Sequence, residues 1–363
     1  MFSPILFYGA FPLVIAGYFR TAFFFTVLGL TAAAALGWFY TGHWGGVGRF
    51  LFIAAVLAAL EISLSFDNAI VNARILRDMA EPWQRRFLSW GIIIAVFGMR
   101  IVFPLLIVAA AAHINPFAAF KLALFRPQDY AHIMAEAHLG IAAFGGTFLL
   151  MVGLSFFFDS NKNTHWIRLV ETGAQKMAKA RGVETAITVL VIIFFSSFME
   201  EREQAAFMTA ALYGLLTYIG LGALGAFLDK SKEEVNALKK AGFGAFLYLE
   251  VLDAAFSFDG VIGAFALSNN IFIIAIGLGI GAFYVRSLTI MLVARQNLLR
   301  YRYLEHGAFY AILALALLMY GQILFPVPEA ITGLVGALFI GAGYISSLRH
   351  KRDNSKVKTD KAE

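Results

Sequence analysis

Long apolar runs, parted only by short polar stretches, fill this chain from residue 3 to residue 348. They lie near 3–19, 21–40, 48–72, 87–112, 137–158, 186–200, 205–228, 241–266, 271–293, 307–325 and 329–348. A helix that crosses the hydrocarbon core of a bilayer needs roughly 20 apolar residues. Only 14% of the 363 residues are charged, against about 25% in soluble domains. A soluble enzyme, a nucleic-acid-binding module and a disordered chain are excluded. The expectation is an all-α polytopic membrane protein of about 9–11 transmembrane helices, with residues 1–348 as one transmembrane domain. No basic N-terminal region or A-x-A-like site suggests a cleavable signal. Without cysteine, neither disulfides nor thiolate metal sites enter the argument.

The basic residues report orientation. Counting alternate loops puts 23 Lys and Arg on one side, from Arg20 through Arg74, Lys162 and Lys230 to the tail after Leu348. The other side has four, Arg49, Lys121, Arg126 and Arg202. That asymmetry places the richer side, and the C-terminus, in the cytoplasm, and eleven spans then put the N-terminus outside. Residues 349–363 read as a charged, disordered cytoplasmic tail. The inner loop with Trp166, Ile167, Leu169 and Val170 among basic residues reads as an interfacial amphipathic helix.

Five acids sit inside apolar runs: Glu61, Asp67, Glu250, Asp253 and Asp259. Two arginines, Arg100 and Arg286, join them. Each charge in a span costs about 2.5–3.5 kcal/mol on insertion scales and marks an ion path or relay by default. The acids form a repeat. Glu61-Ile-Ser-Leu-Ser65-Phe66-Asp67-Asn68 is echoed by Asp253-Ala-Ala-Phe-Ser257-Phe258-Asp259-Gly260. Each copy is followed by a span bearing Arg100 or Arg286, giving repeat A at 48–112 and repeat B at 241–293, with extra spans at 1–40 and 186–228. The loop count runs the two copies in opposite directions, as in the inverted-topology repeats of secondary transporters.

At 100° per residue, Glu61, Ser65, Asn68 and Asn72 share a stripe about 60° wide, and Asp67 lies about 120° away. Glu250, Asp253 and Ser257 share a face, with Asp259 again about 120° from Asp253. Both acids of one copy reach one ion only if the helix loosens near Ser-Phe-Asp, for which Gly260 and Gly263 are candidates. Otherwise the two acids serve different partners. Carboxylates, an amide and the hydroxyls of Ser65 and Ser257 are hard oxygen donors suited to Mg²⁺, Ca²⁺ or Mn²⁺. No Walker motif is present, so transport would draw on a gradient, with protons as a possible coupling ion.

The stretch Glu61-Ile-Ser-Leu-Ser-Phe-Asp-Asn-Ala-Ile-Val-Asn72 and its echo Glu250-Val-Leu-Asp-Ala-Ala-Phe-Ser-Phe-Asp-Gly-Val261 resemble the TerC family of integral membrane proteins. The likeness covers roughly residues 50–300 and is greatest to a longer subfamily. It implies a relation to the lysine-exporter superfamily, a bacterial inner-membrane location and, from several relatives, Mn²⁺ export. Carried over by position, the implied metal residues are Glu61, Asp67, Asp253 and Asp259, with Asn68 and Glu250 beside them; Arg100 and Arg286, which stay charged when buried, are expected as charge partners of the repeat acids.

The function expected is a secondary transporter exporting a divalent cation, Mn²⁺ first, as substrate rather than cofactor. The alternatives are a non-transporting assembly or stress-resistance scaffold and an amino-acid exporter. An intramembrane aspartyl protease is disfavoured, since its Tyr-Asp and Gly-x-Gly-Asp pairs are missing. His132 and Glu136, four residues apart, and the Glu200–Glu203 cluster are weaker cation-attracting candidates.

Overall fold

Each apolar run folds as helix, because in hydrocarbon the backbone must satisfy its own hydrogen bonds. The computed structural model describes the backbone of residues 6–160, 162–178, 180, 182–230, 242–295, 301–325 and 327–359. Of these, the side chains of 6–16, 228–230, 258, 259, 262, 266, 329, 330 and 353–359 stand outside the description. Among the described residues there is no strand, and eight helices are long and apolar enough to cross a membrane. The protein is an all-α polytopic membrane protein.

The chain begins with α1 (Leu6–Thr41), followed by α2 (Trp44–Leu64) and α3 (Phe66–Asp78). Next come α4 (Glu81–Ile93), a π-helical segment (Ile94–Val102) and α5 (Phe103–Ala111), which together make one long rod. Two short helices, α6 (Pro116–Phe125) and α7 (Pro127–Glu136), precede α8 (His138–Phe157). Beyond it lie α9 (Arg168–Met177), α10 (Val183–Ser196) and α11 (Glu201–Lys230). The last four are α12 (Phe243–Leu267), α13 (Ile271–Ala294), α14 (Leu304–Leu324) and α15 (Glu329–Thr359).

Three expectations are corrected here. From Leu6 on, the runs 3–19 and 21–40 form the single helix α1, because Arg20 is a good helix former and neither neighbour, Phe19 nor Thr21, is a glycine or proline. The stretch after Leu348 continues α15 to Thr359, so the tail is helical over most of its length. In repeat B the helix stays regular past Ser257 and Gly260, whereas in repeat A it breaks at Ser65 (φ −101°, ψ 17°).

Small residues bring the two repeats together. A β-carbon at Gly277 of α13 would stand 2.6 Å from the Leu57 β-carbon on α2. One turn on, Gly281 lies directly against the side chain of Glu61. On the far side, α8 packs on α11 and α14 around Phe148, Leu149, Phe207 and Tyr320, all buried. The acid-bearing α12 is held between this bundle and the α2–α3–π layer.

Candidate functional site

Where α2, α3, the π segment, α12 and α13 converge, they line a partly open cavity of about 30 Å³. A water molecule needs about 10–15 Å³ on this measure, so the space holds about two. Glu61, Ser65, Asn68 and Asn72 line one wall, and Asp253 and Ser257 the facing one. Arg100, Arg286 and Thr289 close the sides. The stripe read from the sequence is therefore the cavity wall, kept in register across the Ser65 break. Asp67, about 120° off it, is buried yet not part of the lining. Its Oδ1 accepts the Asn68 backbone N–H at 2.9 Å in the first turn of α3, a favourable place for an acid. The side chain of Asp259 falls outside the described residues, so its expected meeting with Asp67 stands outside them too.

The two carboxylates of the lining differ in charge partner. Glu61 Oε1 accepts from the Arg100 guanidinium and, at 3.0 Å, from the Ser65 hydroxyl. Asp253 Oδ1 accepts from the Asn72 amide at 2.5 Å, and the Asn68 amide meets the same carboxyl group. These donors are neutral; among the described residues no cation stands within ion-pair distance of Asp253, on which Arg286 and Arg100 act from farther off. Arg286 instead donates to the Phe87 carbonyl, with its guanidinium 4.1 Å from the Phe87 ring centre. Glu250 lies beside it, outside the cavity: a β-carbon on Gly91 would touch both, at 2.5 Å from Arg286 and 2.8 Å from Glu250 Oε1.

Among the described residues, Asn68 Oδ1 and Asn72 Oδ1 are buried without hydrogen-bond partners. Buried acceptors are nearly always satisfied, so two orphans in one small cavity call for an explanation. Together with Asp253 and the hydroxyls they form a set of hard oxygen donors with unspent capacity. Among the described residues no three His, Asp or Glu side chains come together. A cation here would be held by a mixture of carboxylate, amide and hydroxyl oxygen, which Mn²⁺, Mg²⁺ and Ca²⁺ accept.

A family model described as "Protein of unknown function (DUF475)" matches residues 66–354. The chain belongs to the DUF475 family. The match opens at the first residue of α3 and takes in Asn68, Asn72, both arginines and all of repeat B, with Glu61 and Ser65 just before it. No curated protein and no solved structure matches the chain.

The π segment was not foreseen, though the DUF475 stretch carries its signal in Pro104. Proline lacks an N–H, and its ring collides with the carbonyl four residues back, here that of Arg100. The chain widens its turns instead, and Phe103 N–H bonds to the Gly98 carbonyl. Such segments recur at functional sites, and this one carries Arg100. The weaker candidates stay peripheral. His132 Nδ1 and Glu136 Oε1 are 3.4 Å apart on α7 but 75% and 67% exposed. Glu200, Glu201 and Glu203 are exposed at the start of α11.

A second buried charged cluster, on the α9 side, also went unforeseen. Glu171 accepts from Lys162 Nζ at 2.8 Å and from the Trp166 and Ile167 backbone N–H groups at 3.0 Å. His306 of α14 stands 3.3 Å away. Burial pushes the Glu171 carboxyl up, but the bonds from His306, Lys162 and Ile167 outweigh it and hold the group at about 2. The result ties α9 to α14.

Proposed function

We propose that this protein is a secondary transporter that moves a divalent cation, Mn²⁺ first, across the membrane through the cavity between its two acidic repeats. One observation carries the reading: Asp253 lines a small cavity with Asn68 and Asn72, whose buried amide oxygens have no partner among the described residues, and no guanidinium there stands within ion-pair distance of it. A dehydrated cation supplies what those atoms lack. Negative charge on Asp253 and Glu61 offsets the loss of the ion's water, and Asn68, Asn72, Ser65 and Ser257 fill further positions. When the ion leaves, Asp253 regains Asn72 and Asn68, so the empty site is not a bare charge.

The resemblance to the TerC family supports the same substrate, and the opposed orientation of the repeats supports alternating access. Glu61 on α2 is bonded to Arg100 on the π segment and packs against Gly281 on α13, so a shift of either repeat changes the donor set. An amino-acid substrate fits poorly, because 30 Å³ is far below the roughly 300 Å³ at the lower end of small-molecule pockets.

The test is Mn²⁺ accumulation in an exporter-deficient strain expressing variants at matched membrane levels. Asp253→Asn should lower export at least about tenfold, a loss of some 1.4 kcal/mol or more in stabilisation of the bound ion, and Glu61→Gln should lower it comparably. Asp67→Asn, outside the cavity, should have the smaller effect. Parent-like export by Asp253→Asn would remove the cavity from the path and bring the scaffold reading forward.

A further inference from the structure

A second and much larger space runs along the outside of the repeat core. Helix α1 packs on α2 and α13, with Phe25 stacked on Phe283 at 3.8 Å. Between α1, α13 and the α4–π rod an apolar groove of about 960 Å³ stays open. It follows α1 from Tyr18 to Phe39, a rise of about 31 Å, which matches the roughly 30 Å of a bilayer's hydrocarbon core.

The two ends of the groove differ in charge. At the Tyr18 end the lining includes Thr21, Arg286 and Ser287. Arg295 holds its guanidinium 5.8 Å from the Tyr18 ring centre, and Arg20 and Arg86 are exposed near that end of α1 and α4, where Arg85 is ion-paired with Glu81 at 2.5 Å. The other end, at Phe39, Ile101 and Phe272, has no charged residue in its lining and lies near the exposed aromatics Trp38 and Trp44. Arg286 stands nine residues, about 13 Å, before Arg295. It is only 8% exposed, and its Nε has no hydrogen-bond partner among the described residues.

We propose that this groove binds one anionic phospholipid of the surrounding bilayer. Its acyl chain lies along α1, its acidic headgroup sits at the Arg295–Arg20 collar, and its ester oxygens reach the depth of Arg286. Groove length selects an acyl chain, and the one-ended charge selects an acidic head over a zwitterionic one. Ile92 and Arg286 line both the groove and the smaller cavity, so a lipid seated here shares a wall with the proposed cation site.

Lipid binding is measured on the full-length chain in detergent, independently of transport, so this inference and the transport reading fail separately. Native mass spectrometry with phosphatidylglycerol or phosphatidylcholine should show tighter retention of phosphatidylglycerol, by about fivefold for each basic residue engaged. A phosphatidylglycerol with a photoreactive acyl chain should cross-link to peptides from 18–39 or 272–290. Ala35→Trp, which narrows the groove, should lose that adduct while running at the parent's position on size exclusion. Equal retention of the two lipids, cross-links spread over every lipid-facing helix, or a cross-link joining two copies through α1 would each overturn the proposal.

Discussion

Single positions show what the residue alphabet reveals and what it hides. The Glu61-Ser65-Asn68-Asn72 stripe was legible because helical periodicity is a property of the sequence, and those four residues form one wall of the cavity. Which acids enter the cavity was less so. Asp67 repeats in both copies, yet its angle on the helix turns it out of the lining, while Asp253 lines the cavity with Asn68 and Asn72. Glu171 gave no signal at all, being one acid in a basic loop that only the approach of α14 encloses. Its carboxyl is held at about 2, below the ordinary 4.5. A depressed acid stabilises the fold fully above its unfolded value and loses that contribution as pH falls toward the folded one. The clasp between α9 and α14 should therefore hold above about pH 4.5 and loosen between there and about 2. Removing one partner of a buried charge cluster costs roughly 3 kcal/mol or more, about a hundredfold in local opening. Hydrogen exchange across residues 165–178 should show that loss in Glu171→Gln already at pH 7, with little further change on acidification. Wild-type-like protection of the variant at pH 7 would mean that packing, and not the charge cluster, pins α9.

Among the elements, the regular spans were legible and the irregular ones were not. Length and apolar content suffice for α8, α13 and α14, whereas the break at Ser65 depends on backbone bonds that composition does not encode and the π segment shows in the sequence only through Pro104. Gly260, a candidate for loosening α12, proves to be a place of close approach, where an added β-carbon would stand 3.4 Å from Glu61 Oε2. The irregularity falls on the repeat A side of the cavity only. Pro104 is the residue that makes a regular turn impossible at Arg100, so the π segment can be tested through it. Pro104→Ala restores an N–H and lets the rod close into an ordinary α-helix. Losing one residue's worth of extra winding rotates Arg100 by roughly 100° away from Glu61. Export should then fall about tenfold or more at unchanged membrane abundance, comparable to Glu61→Gln. Full activity in Pro104→Ala would show that the packing of Arg100 against Glu61, and not proline, dictates the wide turns.

At the scale of the molecule, the merging of two runs into α1 changes the topology. Over 36 residues a helix rises about 54 Å, enough to cross once and protrude, and it cannot turn back on itself. Eight helices meet the length and apolar requirements among the described residues. Helix α12 has 25 residues but carries the repeat acids, and α10 has only 14, about 21 Å. Counting both as crossings, with α10 beside a thinned or tilted neighbourhood, gives ten. An even number puts the Leu6 end of α1 on the same face as α15, opposite to what eleven spans require. The change leaves the expected sides of all later loops as they were, so ten crossings are as compatible as eleven with oppositely oriented repeats and with 23 basic residues on one face. It also keeps Arg20 on the face expected for Arg86 and Arg295, at the basic end of the groove. The chain has no cysteine, so single cysteines report sidedness without background. Cysteines at Ser3 and Ser355 should both be shielded from a membrane-impermeant maleimide in intact cells and react after permeabilisation. One at Gly42, beyond the other end of α1, should react in intact cells. Labelling of Ser3→Cys from outside, with Ser355→Cys protected, would restore an odd number of crossings and require either α10 to stop short of the far face or α1 to lie along the membrane surface.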